Sequence, residues 1–135
     1  MPTVLARFDV AGKPLTVIGT HPVPPVSAEY VGYRNEQLAL LARLATVTPG
    51  AVLLLGDLNM TSDMPTFRQF ASQSGLRDSR QGFGVQATWP SYMPFMRIAI
   101  DHCLVSENVI VDGRRVGAHV GSDHFPVIVD VSLKD

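Results

Sequence analysis

The sequence predicts a layered α/β protein of one domain, residues 1–135. Strand-like segments rich in β-branched residues alternate with two segments of helical periodicity. The run Ala51–Leu55 is apolar at every position, which is typical of a strand buried on both faces of a layered protein. In addition, 46% of the residues are hydrophobic and 17% are charged, which is the composition of a globular chain and not of a disordered one.

The first half of the chain predicts a hairpin and a helix ahead of this buried strand. Val4–Val10 and Leu15–Gly19 are strand-like and are separated by a turn that contains glycine, which is the pattern of a β-hairpin. A helix is expected after Ser27, a good N-cap residue, and should end at residues 48–50, where proline and glycine stop it. Its inward stripe is expected to contain Tyr30, Leu38, Leu41, Leu44 and Ala45, and its outward face Arg34, Glu36, Gln37 and Arg43.

The second half of the chain predicts another helix and three strands. Either Ser62 or Asp63 is expected to cap the helix, Pro65 lies in its first turn, and Gly75 ends it. The polar, glycine-containing segment 76–87 is interpreted as a loop. The strands are predicted at Ile98–Val105, Val109–Val116 and Val127–Leu133.

Charge and cysteine content limit the possible functions. The formal net charge is −1, so there is no overall positive field; a nucleic-acid substrate is possible, but charge does not support it. The pair Arg114-Arg115 is interpreted as solvated surface charge. The single cysteine, Cys103, lies in an apolar run and is expected to be a buried thiol. No stretch is long enough to span a membrane, and none of these features predicts a compartment.

Polar side chains with catalytic potential lie at the ends of the predicted strands. In a layered sheet protein, the strand ends on one edge converge on a common site. A buried carboxylate without a partner is costly, so packing alone does not explain these positions. Each motif has an ordinary structural explanation, as a turn or a solvated loop residue, but the set in this order favours a site. Its members are His21, Asp57, Asn59, Asp101, Asp123 and His124.

Five short motifs resemble, in order and spacing, those of the endonuclease/exonuclease/phosphatase superfamily. They are Thr20-His21, Gly56-Asp57-Leu58-Asn59, Thr88-Trp89, Ile100-Asp101-His102 and Ser122-Asp123-His124-Phe125-Pro126. The resemblance runs from about Val4 to the C-terminus. It implies half of a DNase I-like four-layer α/β sandwich, in which two sheets pack face to face with helices outside. This chain would then form a mixed sheet with helices on one face. It also implies metal-dependent hydrolysis of a phosphate-ester substrate.

The resemblance further implies a catalytic role for five matching residues. His21 and Asn59 would contact phosphate oxygens. Asp57 would activate or orient the attacking water, or protonate the leaving oxygen. His124 would be the general base or a phosphate ligand, and Asp101 would fix its tautomer. A histidine backed by a carboxylate is a competent base near neutral pH, which agrees with this assignment.

A divalent cation is part of the same expectation. By resemblance, Asp123 would lie beside the metal, directly or through water. Mg²⁺ or Mn²⁺ suits a site of aspartate, asparagine and water oxygens. Zinc is not expected, because the sequence has no cluster of histidine and cysteine ligands.

The chain departs from the family in its length and in one metal ligand. Family members are much longer, and their first half supplies a strand with an asparagine and a Gln-Glu motif whose glutamate is the principal metal ligand. Neither is found here, and Glu29, Glu36 and Glu107 stand in other contexts. The chain therefore resembles a C-terminal half. If each half contributes one sheet, an apolar face is left for a second copy or for a missing N-terminal half. The resemblance also leaves open the membrane attachment of a longer parent protein.

Three functional hypotheses remain open at this point. The first is a phosphoesterase that works once the N-terminal half is present. The second is an isolated, self-associating α/β fragment without catalytic activity. The third is a small α/β binding domain outside the family. Mg²⁺-dependent phosphoesterase activity of this chain would favour the first over the other two.

Overall fold

The computed structural model describes residues 3–134, which form two β-sheets and two α-helices. The larger sheet consists of β1 (Thr3–Val10), β2 (Lys13–Thr20), β3 (Ala51–Asp57), β4 (Arg77–Asp78) and β5 (Asp101–Val105). Their order across the sheet is β1-β2-β3-β5-β4. The smaller sheet pairs β6 (Val109–Val116) with β7 (Val127–Leu133), and the helices are α1 (Ala28–Val47) and α2 (Pro65–Ser74).

The larger sheet is mixed, as predicted. Strand β2 runs parallel to β3, whereas the pairs β1–β2, β3–β5 and β4–β5 are antiparallel. Helix α1 provides the crossover that a parallel pair requires. The Ser27 hydroxyl caps this helix and accepts a hydrogen bond from the Tyr30 amide at 3.3 Å. Gly75 ends α2 in the left-handed conformation, with φ +68°, so both of these predicted boundaries are confirmed.

Two apolar cores lie on opposite faces of the larger sheet. On one face, both helices pack against the sheet, which confirms the predicted arrangement of helices. The buried residues of this core are Ile18, Leu38, Leu41, Ala42, Ala45, Val52, Leu54, Leu58, Met60, Phe67, Phe70, Leu76 and Leu104. On the other face, the inward side chains of β6 and β7 contact the sheet. The buried residues of this second core are Leu15, Ala51, Leu53, Cys103, Val105 and Val109.

The second core corrects the expectation that the chain contributes a single sheet. Along β7, every second side chain faces inward, and Val127, Val129, Val131 and Leu133 are each partly buried. This period-2 pattern buries one face of a strand. The chain therefore contributes strands to two layers, and part of the sheet face expected to be open is covered.

Three local predictions about elements and their boundaries are wrong. The segment 76–87, predicted as a loop, contains β4 at Arg77–Asp78. The N-cap of α2 is Met64, not Ser62 or Asp63. The Ser62 hydroxyl instead accepts a hydrogen bond from Arg80, so a tertiary contact takes the group that could have capped the helix. Strand β5 begins at Asp101 and not at residue 98, which puts Asp101 at a strand end instead of in the middle.

Two arginines predicted to face solvent are buried. Arg34, on α1, donates from Nη1 to the backbone oxygen of Asn59 at 3.3 Å. Arg114, on β6, donates to Ser79 Oγ at 3.2 Å, to the Asp101 backbone oxygen at 3.3 Å and to Gln86 Oε1. Both guanidinium groups thus donate to oxygen atoms of distant segments, which offsets part of the cost of their removal from solvent. Arg115 is exposed, as predicted.

Strand β1, at the edge of the larger sheet, still exposes apolar side chains. Val4, Phe8 and Val10 are all exposed and lie on the same side of this strand. The predicted partner for an apolar face, a second copy or an N-terminal half, stays a prediction. Among residues 3–134, no helix is both long and apolar enough to cross a membrane.

Candidate active site

The strand ends that carry the predicted site residues meet at one edge of the larger sheet. His21 follows β2 and Asp57 ends β3, and the parallel pairing of these strands brings their ends together. Strand β5 runs the opposite way, so its first residue, Asp101, is paired with Asp57. His124 lies just before β7 and contacts Asp101. Four predicted residues that are far apart in sequence are therefore neighbours.

Gly56 makes the close approach of β2 and β3 possible. Its φ is +152°, and a Cβ atom at this position would lie 1.7 Å from the backbone oxygen of Thr20. Only glycine fits such a position. The result is a distance of 3.5 Å between His21 Nε2 and Asp57 Oδ2.

The His124 imidazole lies between two carboxylates. Its Nδ1 atom is 2.8 Å from Asp101 Oδ2, and its Nε2 atom is 3.9 Å from Asp57 Oδ2. Because the Asp101 carboxylate can only accept, Nδ1 carries the hydrogen of this bond. The Nε2 atom of the neutral ring is then left with its lone pair on the side of Asp57.

Thr88 holds both members of the His124–Asp101 pair. Its hydroxyl donates to Asp101 Oδ2 at 2.5 Å, and its backbone oxygen accepts from the Phe125 amide at 3.0 Å. The Thr88 side chain is completely buried. The buried threonine therefore positions both the Asp101 carboxylate and the segment that bears the His124 imidazole.

Asn59 lies beside Asp57 but directs its polar groups towards the protein. Its backbone amide donates to Asp57 Oδ1 at 2.7 Å, and its side-chain amide donates to the Pro22 oxygen at 3.0 Å. The residue has φ +51°, a conformation that asparagine tolerates in turns. Asn59 thereby connects the segment after β3 to the segment after β2. Its predicted contact with phosphate stays a prediction.

Burial raises the pKa of the Asp57 carboxyl, and the charge of Asp101 adds to this rise. The Asn59 amide and the two histidines, His21 and His124, act in the opposite direction. Asp57, Asp101 and His124 each offer a ligand atom, and these three atoms lie within 4.8 Å of one another. A divalent cation would offset the repulsion between the two carboxylates, so this group is a candidate metal site.

Asp123, the predicted metal ligand, lies outside this group. It is exposed, and its Oδ2 atom accepts a hydrogen bond from Trp89 Nε1 at 3.3 Å. Its backbone oxygen accepts from the Ser91 amide at 2.7 Å. In the described chain, Asp123 connects the segment before β7 to the segment after Thr88, and its role as a metal ligand stays a prediction.

A cavity of about 350 Å³ joins the polar groups to an apolar wall. It is lined by His21, Pro24, Asp57, Asn59, Trp89, Ile98, Ile100 and His124. A larger concavity of about 670 Å³, between α2 and the segment after β4, contains none of the predicted site residues. The smaller cavity is the better candidate, since catalysis depends on the chemistry of the lining groups and not on volume.

His102, which lies in one of the five motifs, is buried in the core and has a structural role. Its Nε2 atom donates to the Met60 oxygen at 2.7 Å, and its ring centroid lies 4.6 Å from that of Phe67. Burial lowers the pKa of this histidine, which keeps the ring neutral in the core. No feature of the sequence separates this role from the chemistry expected of neighbouring Asp101. Sequence analysis also does not predict the hydrogen bonds by which Arg34, Thr88 and Arg114 hold residues of the site. Of these three residues, Thr88 alone lies in one of the five motifs.

Comparison with known proteins identifies the family. The model of the endonuclease/exonuclease/phosphatase family matches residues 1–124, which is most of the chain. The chain belongs to the endonuclease/exonuclease/phosphatase family. Among curated proteins, no sequence matches the chain well enough to establish a relationship.

Solved structures agree with the family assignment at the level of the fold. The chain is similar to an endonuclease/exonuclease/phosphatase from Beutenbergia cavernae, with a TM-score of 0.74, 24% identity and coverage of 98% of this chain and 39% of that one. It is also similar to a family protein from Bacteroides vulgatus, with a TM-score of 0.77, 20% identity and coverage of 98% and 55%. A D. rerio TDP2 structure complexed with a single-strand DNA product matches with a TM-score of 0.75, 16% identity and coverage of 96% and 61%.

The coverage values show how much of a family protein this chain represents. The chain spans between 39% and 61% of the length of these three solved relatives. Its fold is therefore part of the family fold, in agreement with the resemblance to one half. The activity and substrates of a whole family protein are a separate question.

Proposed function

We propose that this chain carries the catalytic histidine of a metal-dependent phosphoesterase, a hydrolase that cleaves phosphate esters with an activated water. The observation that carries the proposal is the position of His124. Its ring is held by Asp101 on one side and faces Asp57 on the other, at the wall of a cavity. This is an arrangement suited to proton transfer from water.

The Asp101–His124 bond supports His124 as the base. With the hydrogen on Nδ1 fixed by Asp101, the lone pair of Nε2 can accept a proton from the attacking water. The imidazolium formed would lie between two carboxylates, which stabilise its charge. Oδ2 of Asp57, 3.9 Å from Nε2, can accept a hydrogen bond from the same water and orient it. Water then attacks phosphorus, and the bond from phosphorus to the leaving oxygen breaks.

His21 and the cation have complementary tasks. The exposed His21 imidazole can donate to a phosphate oxygen, where negative charge increases in the transition state. Asp57 and Asp101 are the oxygen donors that would hold Mg²⁺ or Mn²⁺, and Asp123, by the family resemblance, would lie beside the metal, directly or through water. Such a cation, when bound, neutralises charge on the phosphate. Because Mg²⁺ takes about six oxygen ligands, the remaining positions would be filled by water, by substrate oxygens or by a ligand from outside this chain.

Hydrolysis of bis(p-nitrophenyl) phosphate and p-nitrophenyl phosphate tests the proposal. The rate is measured for this chain with Mg²⁺, with Mn²⁺ and with EDTA. We expect His124→Ala to lower kcat by at least about a hundredfold, the range of general base catalysis. His119→Ala is the matched control, because His119 is exposed on the same segment and does not line the cavity. Equal effects of the two substitutions would refute the assignment of His124.

A metal-binding measurement covers the case in which the chain alone is inactive. The chain spans only part of the length of its relatives, and the alternative to the proposal is a folded, self-associating fragment without catalytic activity. Mn²⁺ is expected to raise the Tm of the unmodified chain and to have a much smaller effect on Asp57→Asn. Absence of both hydrolysis and a Mn²⁺ effect would leave the fragment alternative in place.

A further inference from the structure

One wall of the cavity continues into an apolar protrusion. The segment 92–98, here called the apolar loop, exposes Phe95 completely, Tyr92 by 69% and Met96 by 64%. Met93 and Ile98 are also exposed, by 40% and 41%. Soluble proteins rarely leave so many large apolar side chains together in water unless they contact a partner.

The base of the apolar loop is fixed and not frayed. The Ile98 amide donates to the Trp89 oxygen at 2.6 Å, and the Thr88 amide donates to the Ile98 oxygen at 3.0 Å. At the tip, Pro94–Met96 form one turn of 3₁₀ helix, closed by a bond from the Met96 amide to the Met93 oxygen at 3.0 Å. The structure therefore presents the apolar side chains on an ordered backbone.

The apolar loop is joined directly to the candidate active site. Trp89 and Ile98, at its base, line the same cavity as His124 and Asp57. A partner protein seated permanently on the loop would contact residues next to those that line this cavity. A surface that itself carries the phosphate ester would instead bring substrate to it.

The charge of this region is suited to a membrane surface and not to nucleic acid. Between residues 81 and 100, Arg97 is the single charged residue. Its guanidinium donates to the Ser91 oxygen at 2.6 Å and lies 4.6 Å from the centre of the Phe125 ring, so it folds back onto the protein. Nucleic-acid binding depends on contacts of Lys and Arg with phosphates. Tyrosine and tryptophan, in contrast, are favoured at the boundary between lipid and water.

We propose that the apolar loop inserts into the surface of a phospholipid bilayer and so presents a lipid phosphoester to the cavity. The assignment of a lipid substrate class rests on the proposed phosphoesterase function. The insertion itself does not, since it needs neither a metal nor turnover. The docking step can thus be tested separately from catalysis.

Co-sedimentation with phosphatidylcholine vesicles, in the absence of divalent metal, tests insertion. The double variant Phe95→Ser/Met96→Ser removes the two most exposed apolar groups at the tip. We expect its vesicle partition coefficient to fall by about tenfold or more, because each such side chain contributes strongly when it leaves water. The matched control is Leu40→Ser/Val47→Ser, which removes two side chains of 63% and 76% exposure from α1. This control should partition like the unmodified chain.

The single tryptophan provides a second measurement. Trp89 is the sole tryptophan of the chain and lies at the base of the apolar loop. Its emission should shift to shorter wavelength when vesicles are added, and this shift should be lost in Phe95→Ser/Met96→Ser. Circular dichroism establishes that the variants are folded.

Three outcomes would overturn the proposal. One is the absence of partitioning by the unmodified chain, and another is an equal loss of partitioning in the loop variant and the α1 control. The third is a loop-dependent interaction of another kind, either a dimer detected by light scattering or binding of a single-stranded oligonucleotide, without vesicle binding. None of these outcomes changes the hydrolysis test on His124, so failure of docking and failure of the proposed function are distinguishable.

Discussion

Replacement of Gly56 by alanine should damage both the fold and the candidate active site. A Cβ atom at this position would lie 1.7 Å from the backbone oxygen of Thr20. Since real Cβ atoms essentially never approach closer than 3.0 Å, the ends of β2 and β3 would have to separate by about 1.3 Å (3.0 less 1.7). Alanine also disfavours φ +152°. Overpacking and backbone strain together are expected to lower the free energy of unfolding by about 4 kcal/mol.

A control substitution separates the steric part of this effect from the part that comes from backbone strain. Gly82 also has a positive φ, +89°, but a Cβ atom there meets nothing within 4 Å. Gly82→Ala should therefore cost only about 1 kcal/mol, the usual penalty for a left-handed conformation. Urea unfolding followed by circular dichroism gives both free energies. If Gly56→Ala costs no more than Gly82→Ala, the close approach of β2 and β3 does not depend on glycine, and the reasoning is refuted.

Three further predictions concern buried side chains. Thr88→Val removes the hydroxyl that donates to Asp101 and should lower kcat by about tenfold in the phosphoester assay; unchanged kcat in a folded variant would exclude a positioning role. Arg34→Met leaves the partly buried backbone oxygen of Asn59 with one donor fewer and should cost about 1 kcal/mol of unfolding free energy. The exposed control Arg43→Met should change this free energy by less than about 0.5 kcal/mol. Burial raises the pKa of Cys103 to about 11, so a thiol reagent at pH 8 should label this residue only in denaturant; rapid labelling of the folded chain would contradict its burial.

The helices and most strands could be predicted because local sequence determines them. Ser27 as an N-cap, Gly75 as a left-handed end and the apolar run that became β3 depend on neighbouring residues alone. Placement of strands in sheets depends on distant contacts instead. Strand β6 directly follows β5 in sequence but pairs with β7 in a separate sheet, and no local pattern indicates that change of partner.

The members of the candidate site could be predicted, but the groups that hold them could not. His21, Asp57 and Asp101 were accessible to sequence analysis because polar residues next to apolar strands are conspicuous. Arg34 and Arg114 resemble ordinary surface charge in the sequence, since the oxygen atoms that they bind come from other segments. A guanidinium enters the interior only where folding supplies such acceptors, and that information is absent from the local sequence.

Because side chains alternate along β5, the buried His102 affects the direction of the neighbouring Asp101, although His102 itself does not line the candidate active site. Neighbouring residues of a strand point to opposite faces, so sliding β5 by one residue along β3 would exchange the directions of Asp101 and His102. His102 is fixed by its bond to Met60 and by its contact with Phe67. Such a slide would take the imidazole out of the core and turn the carboxylate inwards. The interior histidine therefore stabilises this register, and the packing of the core determines which of the two adjacent side chains faces the candidate active site.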